Sequence, residues 1–323
     1  MEQSGIWLMF QPLRNLYGAY VREGVGTGII VNANHPLSVR RFTAAHEYGH
    51  HVLGHAPVVD DERNLNSPSG IVNLDEASAQ AFAASFLMPL QLVNTMLRQM
   101  GLPLDPGTMS PSQVYLFSLN LGSSYPATIN QLKTLGKISS HAATALRKEK
   151  PKDIKIDIGR GQRPAQVWAD AWQVGTHDAG RTLHPKVEDV LHVVLPETPS
   201  SGYVWSVDGP GVVDASLLTD EQLVPSHAFL SLEGISFEGA SPSQGLMNWQ
   251  HGPVTLGTGG QRHLVFRALR PGRFPLQLQK RRPWENSLGA ETFQLDLRIS
   301  PAGTGGTEQG LSLHQLSGLR AAA

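Results

Sequence analysis

With 323 residues, 40% of them apolar and only 16% charged, the chain has material for two ordinary domains and lacks the polarity of a disordered one. Its 26 Lys and Arg against 27 Asp and Glu leave a formal charge of -1, which excludes an overall basic field for holding nucleic acid through its phosphates. Cys is absent, so disulfides, thiolate nucleophiles and Cys-ligated metal drop out together, and any metal has to be held by His and carboxylate.

Residues 18–22 and 27–32 read as short strands around a glycine turn. A helix is expected from Ser38 to Leu53, where Phe42, Ala45, Tyr48 and Val52 recur at helical spacing before Gly54 offers a left-handed stop. Residues 56–70, with Pro57, Pro68 and an acidic run at Asp60-Asp61-Glu62, read as a loop. Leu74, Ala77, Ala81, Phe82 and Phe86 mark a second helix up to Pro89, and residues 90–100, 112–121 and 126–135 read as further helices. Beyond Lys150 a period of two takes over: Phe293, Leu295, Leu297 and Ile299 alternate with Thr292, Gln294, Asp296 and Arg298. Residues 190–195, 264–269 and 274–279 look similar. The expected organisation is an α+β domain over 1–145, a linker or extra strand over 146–183 with Ile154–Ile158 as the candidate strand, an antiparallel β-sandwich over 184–300, and a poorly ordered tail over 301–323. No stretch reaches the ~20 apolar residues of a membrane span, and residues 1–10 have no basic start before an apolar run. A soluble, cytoplasmic protein with no membrane and no direct nucleic-acid partner is the expectation.

The first helix carries the chemistry. In His46-Glu47-Tyr48-Gly49-His50 the two histidines lie one turn apart, so both can present a ring nitrogen to one zinc ion (Zn2+). Glu47, about 100° around the helix, is placed to act as general base on the attacking water. The third ligand is open between carboxylates. Glu76, near the start of the second helix and on a face with Ala79, Ala83 and Phe86, is preferred over Asp75 and over Asp60 or Asp61 in the preceding loop. The metzincin extension is missed by one place, since Leu53 and Ala56 stand where its Gly and His belong. His55, about 180° from His46 on an ideal helix, points elsewhere unless the turn at Gly54 redirects it.

These residues resemble the ImmA/IrrE family of metallo-endopeptidases, through Arg41-Phe42-Thr43-Ala44-Ala45-His46-Glu47-Tyr48-Gly49-His50 and the segment from Glu76 to Pro89, with Gln80 where the family has Asn. The resemblance implies a zincin-like fold, Glu76 as the third zinc ligand, and an endopeptidase that cleaves a helix-turn-helix transcriptional repressor, releasing stress, phage or mobile-element genes.

In the second half, Pro199-Ser200-Ser201-Gly202 follows one strand, Gly257-Thr258-Gly259-Gly260 precedes another, and Arg282-Pro283-Trp284 follows a third. In this order they are similar to the chagasin family of cysteine-peptidase inhibitors, although Thr198-Pro199-Ser200-Ser201-Gly202 stands where that family has Asn-Pro-Thr-Thr-Gly. This resemblance implies an immunoglobulin-like sandwich whose three loops enter the cleft of a papain-like cysteine peptidase. The alternative function is therefore a peptidase inhibitor or protein-binding module acting through those loops, with the zinc domain as scaffold or sensor.

Overall fold

The computed structural model describes residues 5–23, 26–56, 59–61, 74–103, 109–166, 168–207, 209–218, 225–239, 259–284 and 291–302. The chain divides into two compact units, one within residues 1–149 and one over 150–303.

The first unit opens with β1 (Ile6–Gln11), β2 (Leu16–Glu23) and β3 (Gly26–Asn32), joined later by β4 (Val59–Asp61) in the sheet order β1-β3-β2-β4. β1 runs parallel to β3 and the other pairs are antiparallel. One face of this sheet buries Ile6, Tyr20, Ile29 and Val31 against Ala44 of α1 (Leu37–Leu53). Each such large side chain contributes about 1.5–3 kcal/mol on leaving water. Asn32, 2% exposed, fastens the turn between β1 and β2: its Oδ1 accepts from Leu13 and Asn34, and its Nδ2 donates to the Leu13 and Leu16 carbonyls.

Helices α2 (Leu74–Leu87), α3 (Leu90–Gln99), α4 (Pro111–Leu121), α5 (Tyr125–Thr134) and α6 (Ser140–Leu146) complete the unit. Ser110, Ser124 and Ser139 cap α4, α5 and α6, each hydroxyl accepting from a backbone N–H three residues on. Buried Gln131 donates to the Met88 carbonyl and so ties α5 to the end of α2. Three elements differ from expectation here. The segment read as a loop at 56–70 contributes strand β4, and β1 and α6 were not anticipated.

The second unit begins with a correction. Ile154–Ile158, the candidate strand, lies in helix α7 (Pro151–Ile158). Ile154 and Ile158 are four residues apart, so a sequence that alternates also places two isoleucines on one helical face, and both are buried at 2% and 3% exposure. Pro151 at the first helical position favours that outcome.

The strands that follow are β5 (Ala171–Gly175), β6 (Thr182–Leu183), β7 (Val190–Glu197), β8 (Val204–Val207), β9 (Val212–Asp214), β10 (Leu230–Gly239), β11 (Gly260–Ala268), β12 (Gly272–Arg281) and β13 (Glu291–Ile299). They form two sheets, β5-β7-β11-β10-β9 and β6-β13-β12-β8. Val193, Leu195, Leu264 and Phe266 from the first and Leu276, Leu278, Leu295 and Leu297 from the second are fully buried. Phe293, Leu295, Leu297 and Ile299 are buried while Thr292, Gln294 and Arg298 face water, as the alternation predicts.

Because β5 and β6 belong to these sheets, the sandwich starts before residue 184. Asp189 binds the early part in place: its carboxylate accepts from the Asp170 N–H at 2.7 Å, the Trp172 indole at 2.9 Å and the Lys186 N–H at 2.9 Å. The tail at 303–323 lies outside the described residues. Among the described residues no helix is long and apolar enough to cross a membrane.

Candidate metal centre

Two helices build the site. α1 begins after Pro36 and ends at Gly54, whose φ of 73° is the left-handed conformation glycine adopts without strain. α2 lies against α1 at Gly49, where an added Cβ would stand 3.1 Å from the Phe82 ring, 3.2 Å from the Ala79 carbonyl oxygen and 3.3 Å from the Ala79 Cα. Gly49 thus meets Ala79 at the level of the backbone. That close approach carries Glu76, one turn before Ala79, to the histidines of α1.

His46 Nε2 lies 3.1 Å from His50 Nε2 and 3.2 Å from Glu76 Oε2, and His50 Nε2 lies 3.4 Å from Glu76 Oε1. The three donor atoms fall within 4.8 Å of one another. His46 and His50 are 4% and 0% exposed, while the Glu76 side chain keeps 28% of its surface, so the cluster is closed towards the sheet and open on the α2 side. Two imidazole nitrogens and a carboxylate converging this way are the donor set of a catalytic zinc site, which leaves one coordination position to water or substrate.

Glu47 is fully buried on the sheet side of α1. Gly18 of β2 makes room for it: a Cβ there would stand 2.5 Å from Thr43 Cγ2, 2.8 Å from the Ile30 carbonyl oxygen and 3.2 Å from Glu47 Oε1. Sequence reasoning passed over Gly18, yet a glycine inside a strand is itself a signal of close approach by another element.

The rival third ligands separate. Asp75 is 60% exposed and faces His55, with Oδ1 3.6 Å from His55 Nε2, and the Asp60 and Asp61 side chains lie outside the described residues. His55 does not point away. Gly54 donates to His51 O and His55 to His50 O, the paired closure of a helix end, and this turn brings His55 Nδ1 to 3.0 Å from His50 Nδ1. His51 faces β2, with Nδ1 3.1 Å from the Tyr20 hydroxyl.

In the second unit the segment Pro199–Ser201, the β11 start at Gly259 and Gly260, and the β12 end at Arg282, Pro283 and Trp284 come together at one end of the sandwich. A Cβ at Gly202 would stand 2.8 Å from Trp284 Cη2, Arg282 Nε donates to Ser201 O at 3.3 Å, and Arg282 stacks over Tyr203 at 4.6 Å. Gly259 lies beside Thr198, with its Cβ position 3.5 Å from Thr198 Oγ1. Trp284 is 70% exposed. Gly257 and Thr258 lie outside the described residues.

An α+β unit with a histidine-bearing helix, followed by a two-sheet β unit, makes this a two-module protein. Residues 1–108 match the IrrE N-terminal-like domain of the peptidase M78 type, and residues 185–299 match the chagasin family of peptidase inhibitors, I42. The chain joins an IrrE N-terminal-like domain to a chagasin-family domain. Among curated proteins none matches it.

Solved structures similar to it include the cysteine protease inhibitor EhICP2 from Entamoeba histolytica, at 18% identity over 40% of this chain and 95% of that one, with a TM-score of 0.29. Amebosin matches at 20% identity over 41% and 100%, with a TM-score of 0.26. The inhibitor PbICP-C, solved in complex with falcipain-2, matches at 17% identity over 41% and 91%, with a TM-score of 0.21.

Proposed function

We propose that the first unit is a zinc-dependent endopeptidase in which His46, His50 and Glu76 hold the metal and Glu47 is the general base. The observation that carries this reading is the convergence of three donor atoms within 4.8 Å, on the helix pair of a domain of the M78 peptidase type. Bound zinc supplies Lewis acidity at the scissile carbonyl. Glu47 takes the proton of the attacking water on its carboxylate and delivers it to the leaving amine. The buried setting of His46, Glu47 and His50 excludes bulk water from one side of the reaction, where electrostatic effects are then stronger. For its substrate we propose the helix-turn-helix transcriptional repressor that the ImmA/IrrE resemblance implies, and for its site of action the cytoplasm.

The test is metal analysis and cleavage of a co-expressed repressor by the full chain and by Glu47→Gln. The expected result is about one zinc per chain in both proteins, with cleavage lower by about 10²–10⁴-fold in the variant. A chain that takes up no zinc, or a variant that cleaves as fast as the parent, overturns the proposal.

The second unit supports a second reading, that its loops hold a papain-like cysteine peptidase. The observation behind it is a 70% exposed Trp284 held across Gly202 and beside Arg282 at the loop end, the form of an aromatic interface anchor. Titrating the full chain against papain should show inhibition that Trp284→Ala weakens by about 30-fold or more, with the melting temperature unchanged. An uninhibited papain sinks this reading and leaves the zinc reading intact.

A further inference from the structure

The turn after α1 raises a question about proton positions. Four side chains lie between the start of α2 and the cluster with His46 and Glu76: Ser78 and Asp75, then His55, then His50. Ser78 Oγ donates to the Asp75 carbonyl at 2.9 Å, so its remaining capacity is to accept. It stands 3.4 Å from His55 Nε2, and Asp75 Oδ1 stands 3.6 Å from the same nitrogen. A carboxylate can only accept, so both neighbours of His55 Nε2 offer acceptors to a proton placed there. That leaves His55 Nδ1 as a lone pair, 3.0 Å from His50 Nδ1, which must therefore carry the His50 proton. His50 Nε2 is then a lone pair, and it is the nitrogen that lies 3.1 Å from His46 Nε2 and 3.4 Å from Glu76 Oε1.

The reverse direction, with His50 Nε2 donating to Glu76 Oε1, is the competing assignment; the two acceptors at His55 Nε2 and the metal reading above, which needs a lone pair on His50 Nε2, decide for this one. We infer that His55 is a positioning residue that fixes the tautomer of His50, turning the His50 Nε2 lone pair towards the cluster with His46 and Glu76. Both the choice of this tautomer over its reverse and the use of the lone pair as a zinc ligand rest on the metal reading above.

The geometry also explains why His55 is placed on this turn. Asp75 and Ser78 flank Glu76 on α2, so His55 couples the end of the helix carrying His50 to the start of the helix carrying the carboxylate. An outer partner of this kind orients the ligand ring and raises its basicity, and its loss typically costs about 10–100-fold in metal affinity.

The experiment uses the full chain with ¹⁵N-labelled histidine, as wild type, His55→Leu and His55→Gln. Nitrogen-detected spectra of the metal-free proteins read the His50 tautomer, and competition against a chromophoric chelator reads zinc affinity. The wild type should carry the His50 proton on Nδ1. His55→Leu should lose that preference and bind zinc about 10–100-fold more weakly. His55→Gln, whose amide oxygen can accept from His50 Nδ1, should restore most of both.

A wild-type His50 protonated on Nε2 alone, or a His55→Leu protein unchanged in both readouts, overturns the inference. A wild type that takes up no zinc while showing the Nδ1–H tautomer sinks the metal reading and upholds the hydrogen-bond chain. Restoration by Gln distinguishes hydrogen bonding from packing, because a role in fold stability alone would move the melting temperature and leave the tautomer unchanged.

Discussion

Each unit of the chain buries a pair of histidines in contact, and the two pairs are built for different ends. His46 and His50 stand one helical turn apart with their rings edge to face at 80°, and their Nε2 atoms meet at 3.1 Å. His192 of β7 and His263 of β11 are neighbours across a sheet, stacked at 26°, with His192 Nε2 2.9 Å from His263 Nδ1. Both pairs have a carboxylate nearby. Glu76 approaches the same nitrogens that face each other, whereas Glu238 approaches the far nitrogen of His263 at 3.5 Å and is itself held by Arg160 at 3.0 Å. Burial and a short N–N distance are therefore not enough to make a metal site. A third donor must arrive on the same side, and among the described residues only the His46, His50 and Glu76 group meets that condition.

The largest expected effect tests this contrast directly. His50→Ala should lower zinc content from about one per chain to near zero by elemental analysis, while His192→Ala should leave it unchanged. Equal zinc in both variants would erase the distinction.

Next in size is acid sensitivity. Burial, and then the adjacent His263, pushes His192 down to about 4 from 6.5, and burial lowers His263 as well. The folded sandwich keeps His192 neutral where the unfolded chain binds a proton, so this contribution is complete above pH 6.5 and is lost as the pH falls towards 4. Denaturant titrations at pH 7 and pH ~4.5 should differ by about 2–3 kcal/mol more in the wild type than in His192→Leu. An equal pH dependence in the two proteins would show that the pair is not held neutral.

A smaller effect sharpens the first unit's side of the comparison. Gly49→Ala places a Cβ against the Ala79 backbone at 3.2–3.3 Å, where no rotamer can yield. It should cost about 1–2 kcal/mol by chemical denaturation and weaken zinc binding as Glu76 moves off. Unchanged affinity would mean that Glu76 reaches the histidines independently of the helix contact.

Much of this was legible in the chain itself. The helix bearing His46 and His50 could be read because its period is clear and Gly54 ends it; Glu76 stood out because it shares a face with the small residues of α2. The alternation in β13 showed a strand with one wet face for the same kind of reason.

What resisted reading has physical causes. β1 is a continuous apolar run, Ile6 to Phe10, in which no period is visible. Ile154–Ile158 satisfies two periods at once, and Pro151 with the burial of Ile154 and Ile158 decided for the helix. His55 was placed opposite the site by ideal helix geometry, which does not hold beyond a left-handed residue. The roles of Gly18 and Gly49 belong to contacts between elements distant in sequence, and no local pattern encodes those.

Asp189 bears on where the second module becomes autonomous. The family likeness begins at residue 185, yet two of the three donors to this 1% exposed carboxylate, the Asp170 N–H and the Trp172 indole, come before that point. A fragment begun at 184 would also forfeit β5, which lies parallel to β7 at the margin of its sheet. The carboxylate would then keep one backbone donor, the Lys186 N–H. The smallest self-sufficient sandwich therefore reaches back at least to Asp170, and residues 170–184, ahead of the second family match, are part of the second module's architecture.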